Sequence, residues 1–136
     1  MATPRIRDLY ACFRCYRRND RPGGRCRHCG GEIAPPDGLS FDDLLVWTLR
    51  HPDPDRAMIA ARALGRRRAR SAVHALRRVV DDPPDPYVGA KALESLVAIR
   101  GIEEERELVE RVAAEGPVIL AAAARRALTD GGGTSA

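Results

Sequence analysis

The chain repeats itself with a period of 32 residues, and that period fixes most of what it can fold into. Displaced by 32 positions, Asp53-Pro54 falls on Asp85-Pro86, Ala60 on Ala92 and Ala124, and Leu64 on Leu96 and Leu128; the small residues Ala63, Ser95 and Ala127 also coincide. A second series runs Leu44, Leu76, Leu108 and Thr48, Val80, Val112. Each unit therefore reads as a helix pair, with first helices near 55–64, 87–99 and 117–129 and second helices near 41–50, 70–80 and 104–114. Asp-Pro starts a helix because the carboxylate caps the free N–H groups and proline fixes φ. Gly65 and Gly101 are placed in the turns between paired helices. Aromatic residues make up only 4% of the chain against 44% hydrophobic, so the core must be built from small aliphatic side chains. One unit cannot bury such a stripe alone, so units stack into a short α-solenoid.

The wording Asp-Pro-x-x-x-x-x-Ala-x-x-x-Leu, with Ala61-Arg62-Ala63-Leu64-Gly65 in the first full unit, resembles the HEAT-like repeats of phycobilisome-lyase-type proteins. The resemblance covers residues 40–129 and implies a surface that most often binds proteins, in some versions nucleic acid, and for the lyase type an accessory role to an enzyme. In stacked units Arg62, Glu94 and Arg126 would form an alternating ladder, and Arg78 would face Glu110. The last helix, 117–129, has no second helix after it, so Val118, Ile119, Leu120 and the alanines to Ala124 would be half uncovered; this end is a candidate docking surface unless Arg125 and Arg126 cap it.

All four cysteines fall in one short stretch, as Cys12-Phe-Arg-Cys15 and Cys26-Arg-His-Cys29. A two-residue gap lets a tight knuckle aim both thiolates at one point, and two knuckles complete the tetrahedral shell that Zn²⁺ prefers. Asn19 to Gly24 supply turn chemistry between them, and Gly30 and Gly31 allow backbone N–H groups to turn toward the sulfurs. Other uses of four cysteines fit less well. Disulfides need an oxidising compartment, c-type haem needs CxxCH where Gly30 follows Cys29, and a rubredoxin-like iron site normally lies under more aromatic cover than Tyr10, Phe13 and Tyr16. The stretch resembles the short bacterial zinc ribbons, including the double-zinc-ribbon type, through Asn19, Gly23, Gly24, Cys26 to Gly30 and Ile33; Tyr16 stands where that family has glycine. In the family the metal is structural. With all four thiolates committed, no position stays open for substrate. His28 reads as a solvated side chain.

The expected architecture is thus all-α: a short HEAT-like solenoid over 40–129, preceded by a small four-cysteine zinc ribbon over 9–33 and a Pro/Gly linker over 34–39, and followed by a flexible tail over 130–136. Ser40, with Asp43 three positions on, reads as the N-cap of the first helix, whose apolar side carries Phe41, Leu44, Leu45, Trp47 and Leu49. The linker is expected to separate two cores, so that losing the ribbon leaves the helices intact.

Charge is unevenly placed: the net charge is +5 over residues 1–33, +7 over 50–78 and −6 over 79–115. Every basic residue but Lys91 is arginine. Arg66-Arg67-Arg68 with Arg70, and Arg14, Arg17 and Arg18 on the ribbon, are the candidate partner-binding residues. No nucleotide-binding glycine loop, HExxH or nucleophile beside a histidine is present, so no enzymatic activity is expected. The acids from Glu103 to Glu107 read as helix-opening residues that complement its dipole, and His51 and His74 as surface side chains. No secretory leader is expected, no apolar run reaches membrane-spanning length, and a cytoplasmic location is expected. The expected function is a zinc-binding adaptor that holds a protein partner. The alternative is a nucleic-acid-binding module in which the ribbon arginines, with Arg21, Arg25 and Arg27, and the Arg66–Arg70 turn contact phosphates.

Overall fold

The computed structural model describes residues 10–133. Position 9 of the expected ribbon, residues 1–8 before it and residues 134–136 of the expected tail lie outside the described residues. Two short antiparallel strands, β1 (Tyr10–Ala11) and β2 (Arg18–Asn19), precede six α-helices: α1 (Phe41–Thr48), α2 (Pro54–Arg66), α3 (Val73–Asp81, entered through a 3₁₀ turn at Arg70–Ala72), α4 (Pro86–Arg100), α5 (Ile102–Glu115) and α6 (Val118–Gly133). No helix among the described residues is long and apolar enough to cross a membrane.

The helices start where their caps dictate. Ser40 Oγ accepts the Asp43 N–H at 3.0 Å while the Asp43 carboxylate accepts the Ser40 N–H at 3.2 Å, a closed capping box. Asp53 accepts the Asp55 N–H at 3.0 Å and Asp85 the Tyr87 N–H at 2.8 Å, each with proline in the next position. These sites are one period apart, and the helices behind them stack. The layer α2, α4, α6 is continuous, with α3 and α5 packed against it from the other side and α1 closing its N-terminal end. The repeated alanines Ala60, Ala92 and Ala124 are buried throughout, and Leu64 and Leu96 fully so. The central α4 is buried on nearly all sides, through Val88, Ala92, Leu93, Leu96 and Ile99.

Four expectations are corrected. Gly65 lies inside α2, not in a turn: a Cβ there would stand 2.7 Å from Ser95 Oγ and 3.1 Å from Ser95 Cα, so glycine lets α2 and α4 touch. The Ser95 hydroxyl donates to the Ala61 carbonyl at 2.6 Å across the same crossing. The turn falls at Arg67–Ala69, where Arg68 takes the left-handed conformation (φ 50°). Gly65→Val should therefore cost about 1–3 kcal/mol by overpacking, read as a lower denaturation midpoint, whereas an exposed glycine replaced inside a helix would gain stability.

The arginine ladder does not form among the described residues, because nearer partners on the same helix win. Lys91 takes Glu94 at 3.2 Å and Arg106 takes Glu110 at 3.5 Å. Ion pairs between units do occur, but along α3 and α5, as Arg77 with Glu105 and Arg111 with Asp81. Residues 130–133 continue α6 rather than starting a tail, since glycine weakens a helix without forbidding it. Finally, the outer end is less open than its sequence suggests. Leu120, Ala121, Ala123 and Ala124 are buried, Arg125 and Arg126 line the outside, and Val118 alone is widely exposed.

Candidate metal centre

The two CxxC turns bring their sulfurs together. Cys12 Sγ lies 3.7 Å from Cys29 Sγ and Cys15 Sγ lies 3.6 Å from Cys26 Sγ, and all four fall within 4.8 Å of one another. A tetrahedral ion with metal–sulfur bonds of about 2.3 Å requires sulfurs about 3.8 Å apart. The cluster fits such an ion, and the separations are far beyond the ~2.05 Å of a disulfide.

Each knuckle points its backbone at the sulfurs. The Arg14 N–H reaches Cys12 Sγ at 3.4 Å, the His28 N–H reaches Cys26 Sγ at 3.3 Å and the Gly31 N–H reaches Cys29 Sγ at 3.4 Å. Gly30 instead donates to the Cys26 carbonyl at 3.0 Å and supplies the left-handed turn (φ 75°). Asn19, expected only as a turn residue, is buried at the end of β2 and ties the knuckles together: its amide donates to Cys26 Sγ at 3.4 Å and its oxygen accepts the Arg27 N–H at 3.1 Å. Such outer contacts orient ligands and tune their charge. Burial acts against ionising Cys26, but the Cys29 N–H, the Asn19 amide and the His28 N–H outweigh it and bring the thiol down to about 5. Cys15, with burial and then its thiol neighbours against it, is pushed up to about 12. The N–H groups gathered at Cys26 stabilise negative charge on its sulfur, as a bound cation would.

Tyr16 occupies the position equivalent to Gly30 and adopts the same left-handed backbone (φ 64°), a conformation that costs a residue with a Cβ about 1–2 kcal/mol. Its ring stacks on Trp47 of α1 at 5.0 Å, and Phe13 stacks on the same indole at 5.1 Å. The Trp47 Nε1–H donates to the Phe13 carbonyl at 2.6 Å, and His51 meets the ring edge-on. The first knuckle is therefore bolted to α1. The buried clusters of the cysteine segment and of the helices are separate, as expected, but they are not independent: the linker joins segments that share an aromatic seam. His51 is not a free surface side chain either. Burial, then Arg56, hold its pKa below the ordinary value, and its Nδ1 accepts the Asp53 N–H at 3.0 Å.

The candidate partner-binding arginines are scattered by the fold. Arg14 lies folded over Gly31, Arg17 precedes β2 and Arg18 is its first residue. Arg67 pairs with Asp42 at 2.5 Å and covers the exposed Phe41 ring at 4.9 Å. Arg68 donates to the Ala98 carbonyl at 2.6 Å, Arg66 ends α2 and Arg70 opens the 3₁₀ turn. His28 is engaged, its ring 3.3 Å from the Arg18 carbonyl.

Glu105 is a functional-looking acid whose role is structural. It is buried, 3% exposed, and held by Arg77 through both oxygens (2.5 and 3.3 Å) and by Arg100 at 3.2 Å. Its phase with Val109 and Val112 on the inner face of α5 is the signal that separates it from the solvated acids beside it.

Compared with known proteins, residues 42–129 match the family described as HEAT repeats. No curated protein and no solved structure matches the chain.

Proposed function

The chain belongs to the HEAT-repeat family, and we propose that it is a non-enzymatic adaptor that holds another protein on its helical surface, with a structural Zn²⁺ bound by Cys12, Cys15, Cys26 and Cys29. The observation that carries the reading is where the large apolar side chains remain open. Ile59, Tyr87 and Val118 are 68%, 57% and 85% exposed and stand on the α2–α4–α6 layer; of the other exposed large apolar groups among the described residues, Phe41 lies under the Arg67 guanidinium and Tyr10 belongs to β1. Exposed aromatic and aliphatic groups beside arginines are the usual make-up of a protein-binding patch. A non-catalytic role is supported by the engagement of every cysteine in one cluster and of the His51 Nδ1 by a backbone N–H.

The nucleic-acid alternative draws less support from the ribbon. Arg25 donates to the Gly30 carbonyl at 3.2 Å, Arg27 to the Arg18 carbonyl at 3.0 Å, and Arg21 lies 3.6 Å from Asp20. Guanidinium groups spent on the ribbon's own backbone and acids are poorly placed to track phosphates. Affinity capture of the tagged full chain from its native lysate, with and without nuclease, tests the reading. A defined protein partner that survives nuclease and dissociates with rising salt is the expected result. Co-purified nucleic acid, with every partner lost on digestion, overturns it.

A further inference from the structure

The groove between α2 and α4 carries an unbalanced set of charges. It encloses about 310 Å³ and is lined by Arg62, Arg66, Arg68 and Glu94 over a floor of Gly65 and Ser95. Among the described residues the Arg62 and Arg66 side chains make no hydrogen bond or ion pair, although like charges four apart on one helix disfavour it. Arg68 is held at the groove's end by its bond to the Ala98 carbonyl, from a left-handed backbone position that a non-glycine residue occupies only at a cost. The one acid, Glu94, is already engaged by Lys91. Three guanidinium groups thus face a cleft whose only carboxylate is neutralised.

The same faces carry the open apolar groups. Ile59 shares a face of α2 with Arg62 and Arg66 by i, i+3, i+7 spacing, and Tyr87 shares a face of α4 with Glu94 and Ala98 by i, i+7, i+11 spacing. Both lie toward the helix N-termini from the arginines, so a basic end adjoins an apolar end. The basic stretch is short. One period along, Glu94 stands where Arg62 does and Ala98 where Arg66 does, so the charge stops at a single helix and offers no track for a polynucleotide backbone.

We infer that this groove is a docking site for an acidic, partly apolar segment of a partner protein, whose carboxylates meet Arg62, Arg66 and Arg68 and whose apolar side chain covers Ile59 and Tyr87. The inference rests on the adaptor reading and adds to it the place and chemistry of recognition. Charge complementarity selects the occupant: bidentate guanidinium–carboxylate pairs are strong and directional, and an aromatic–aliphatic neighbour supplies the desolvated anchor.

Fluorescence anisotropy of the full chain with a fluorescein-labelled peptide of repeated Glu-Glu-Leu tests it, beside a Lys-Lys-Leu peptide and a single-stranded oligonucleotide of similar length. Salt-sensitive binding of the acidic peptide alone is expected, weakened about tenfold or more by Arg62→Glu with Arg66→Glu and unchanged by Arg125→Glu with Arg126→Glu. Arg62→Gln with Arg66→Gln should weaken it less, and circular dichroism should show all three variants folded. Absence of acidic-peptide binding, equal binding by the charge-reversed variant, or preference for the oligonucleotide overturns the docking site. A partner captured from lysate whose binding ignores Arg62 and Arg66 would leave the adaptor reading standing while removing this site.

Discussion

Cys26→Ser, or a chelator in excess over the metal-loaded protein, is expected to unfold residues 10–33 and to destabilise the helices as well. Among the described residues the cysteine segment encloses only Cys12, Cys26 and Ile33 with Cys15 packed against them, too little apolar surface to hold a fold. Metal binding, worth about 10–16 kcal/mol in comparable peptides, has to supply the rest. The effect reaches α1 because the first knuckle presents Phe13 and Tyr16 to Trp47. Two stacked aromatic pairs and one hydrogen bond represent about 2–3 kcal/mol. α1 itself contains no buried residue, and Leu45 and Val46 with the buried Leu49 at its C-cap are what still hold it to the helical core once the seam is lost. The melting temperature of the helical part should fall by about 10–20 °C, with most of the helical circular dichroism retained below the transition. The core from α2 to α6 does not touch the ribbon's ligands and survives their loss. A melting curve unchanged by Cys26→Ser would mean that the ribbon is merely tethered.

Glu105→Ala is the second large effect. The carboxylate is buried and answers two arginines, so its removal strands Arg77 and leaves Arg100 with only the exposed Glu104 at 3.5 Å. Breaking a buried pair by deleting one partner costs about 3–5 kcal/mol. Arg77 and Arg100 are 39% and 31% exposed and regain part of their hydration, which puts the expected loss nearer about 2–3 kcal/mol. Chemical denaturation reads it directly. Glu103→Ala is the matched control: Glu103 pairs with Arg106 in full solvent, and its removal should leave the midpoint where it is. Equal effects from the two substitutions would show that Glu105 is no anchor.

The features legible in the sequence are those encoded locally or repeated. Asp53-Pro54 and Asp85-Pro86 mark helix starts by cap chemistry alone, Ser40 with Asp43 does the same for α1, and the shared period of Ala60, Ala92 and Ala124 reports stacking without any structure. Two CxxC turns likewise declare a four-sulfur cluster able to hold a metal, because the spacing itself aims the sulfurs. What was not legible depends on contacts across long separations. Trp47 belongs to the apolar side of α1 by pattern, yet its partners are Phe13 and Tyr16, more than thirty residues away across a linker that reads as a boundary. A trace of that contact was visible in Tyr16, which stands where the knuckle turn calls for glycine. Gly65 looks like a helix terminator in sequence, and only the approach of Ser95 shows it to be a packing site. The arginine run splits for the same reason: Arg67 turns away to Asp42, while Arg66 and Arg68, the latter held by the Ala98 carbonyl, line one groove with Arg62 from outside the run.

The first cysteine knuckle and the helical repeats meet at Trp47, the protein's one tryptophan. Its fluorescence therefore reports the seam without a label. Chelator titrated into the zinc-loaded protein, with released metal followed by a colorimetric indicator, should shift Trp47 emission to the red and open the indole to acrylamide quenching in step with metal loss. Metal departure with emission and quenching unchanged would contradict the account.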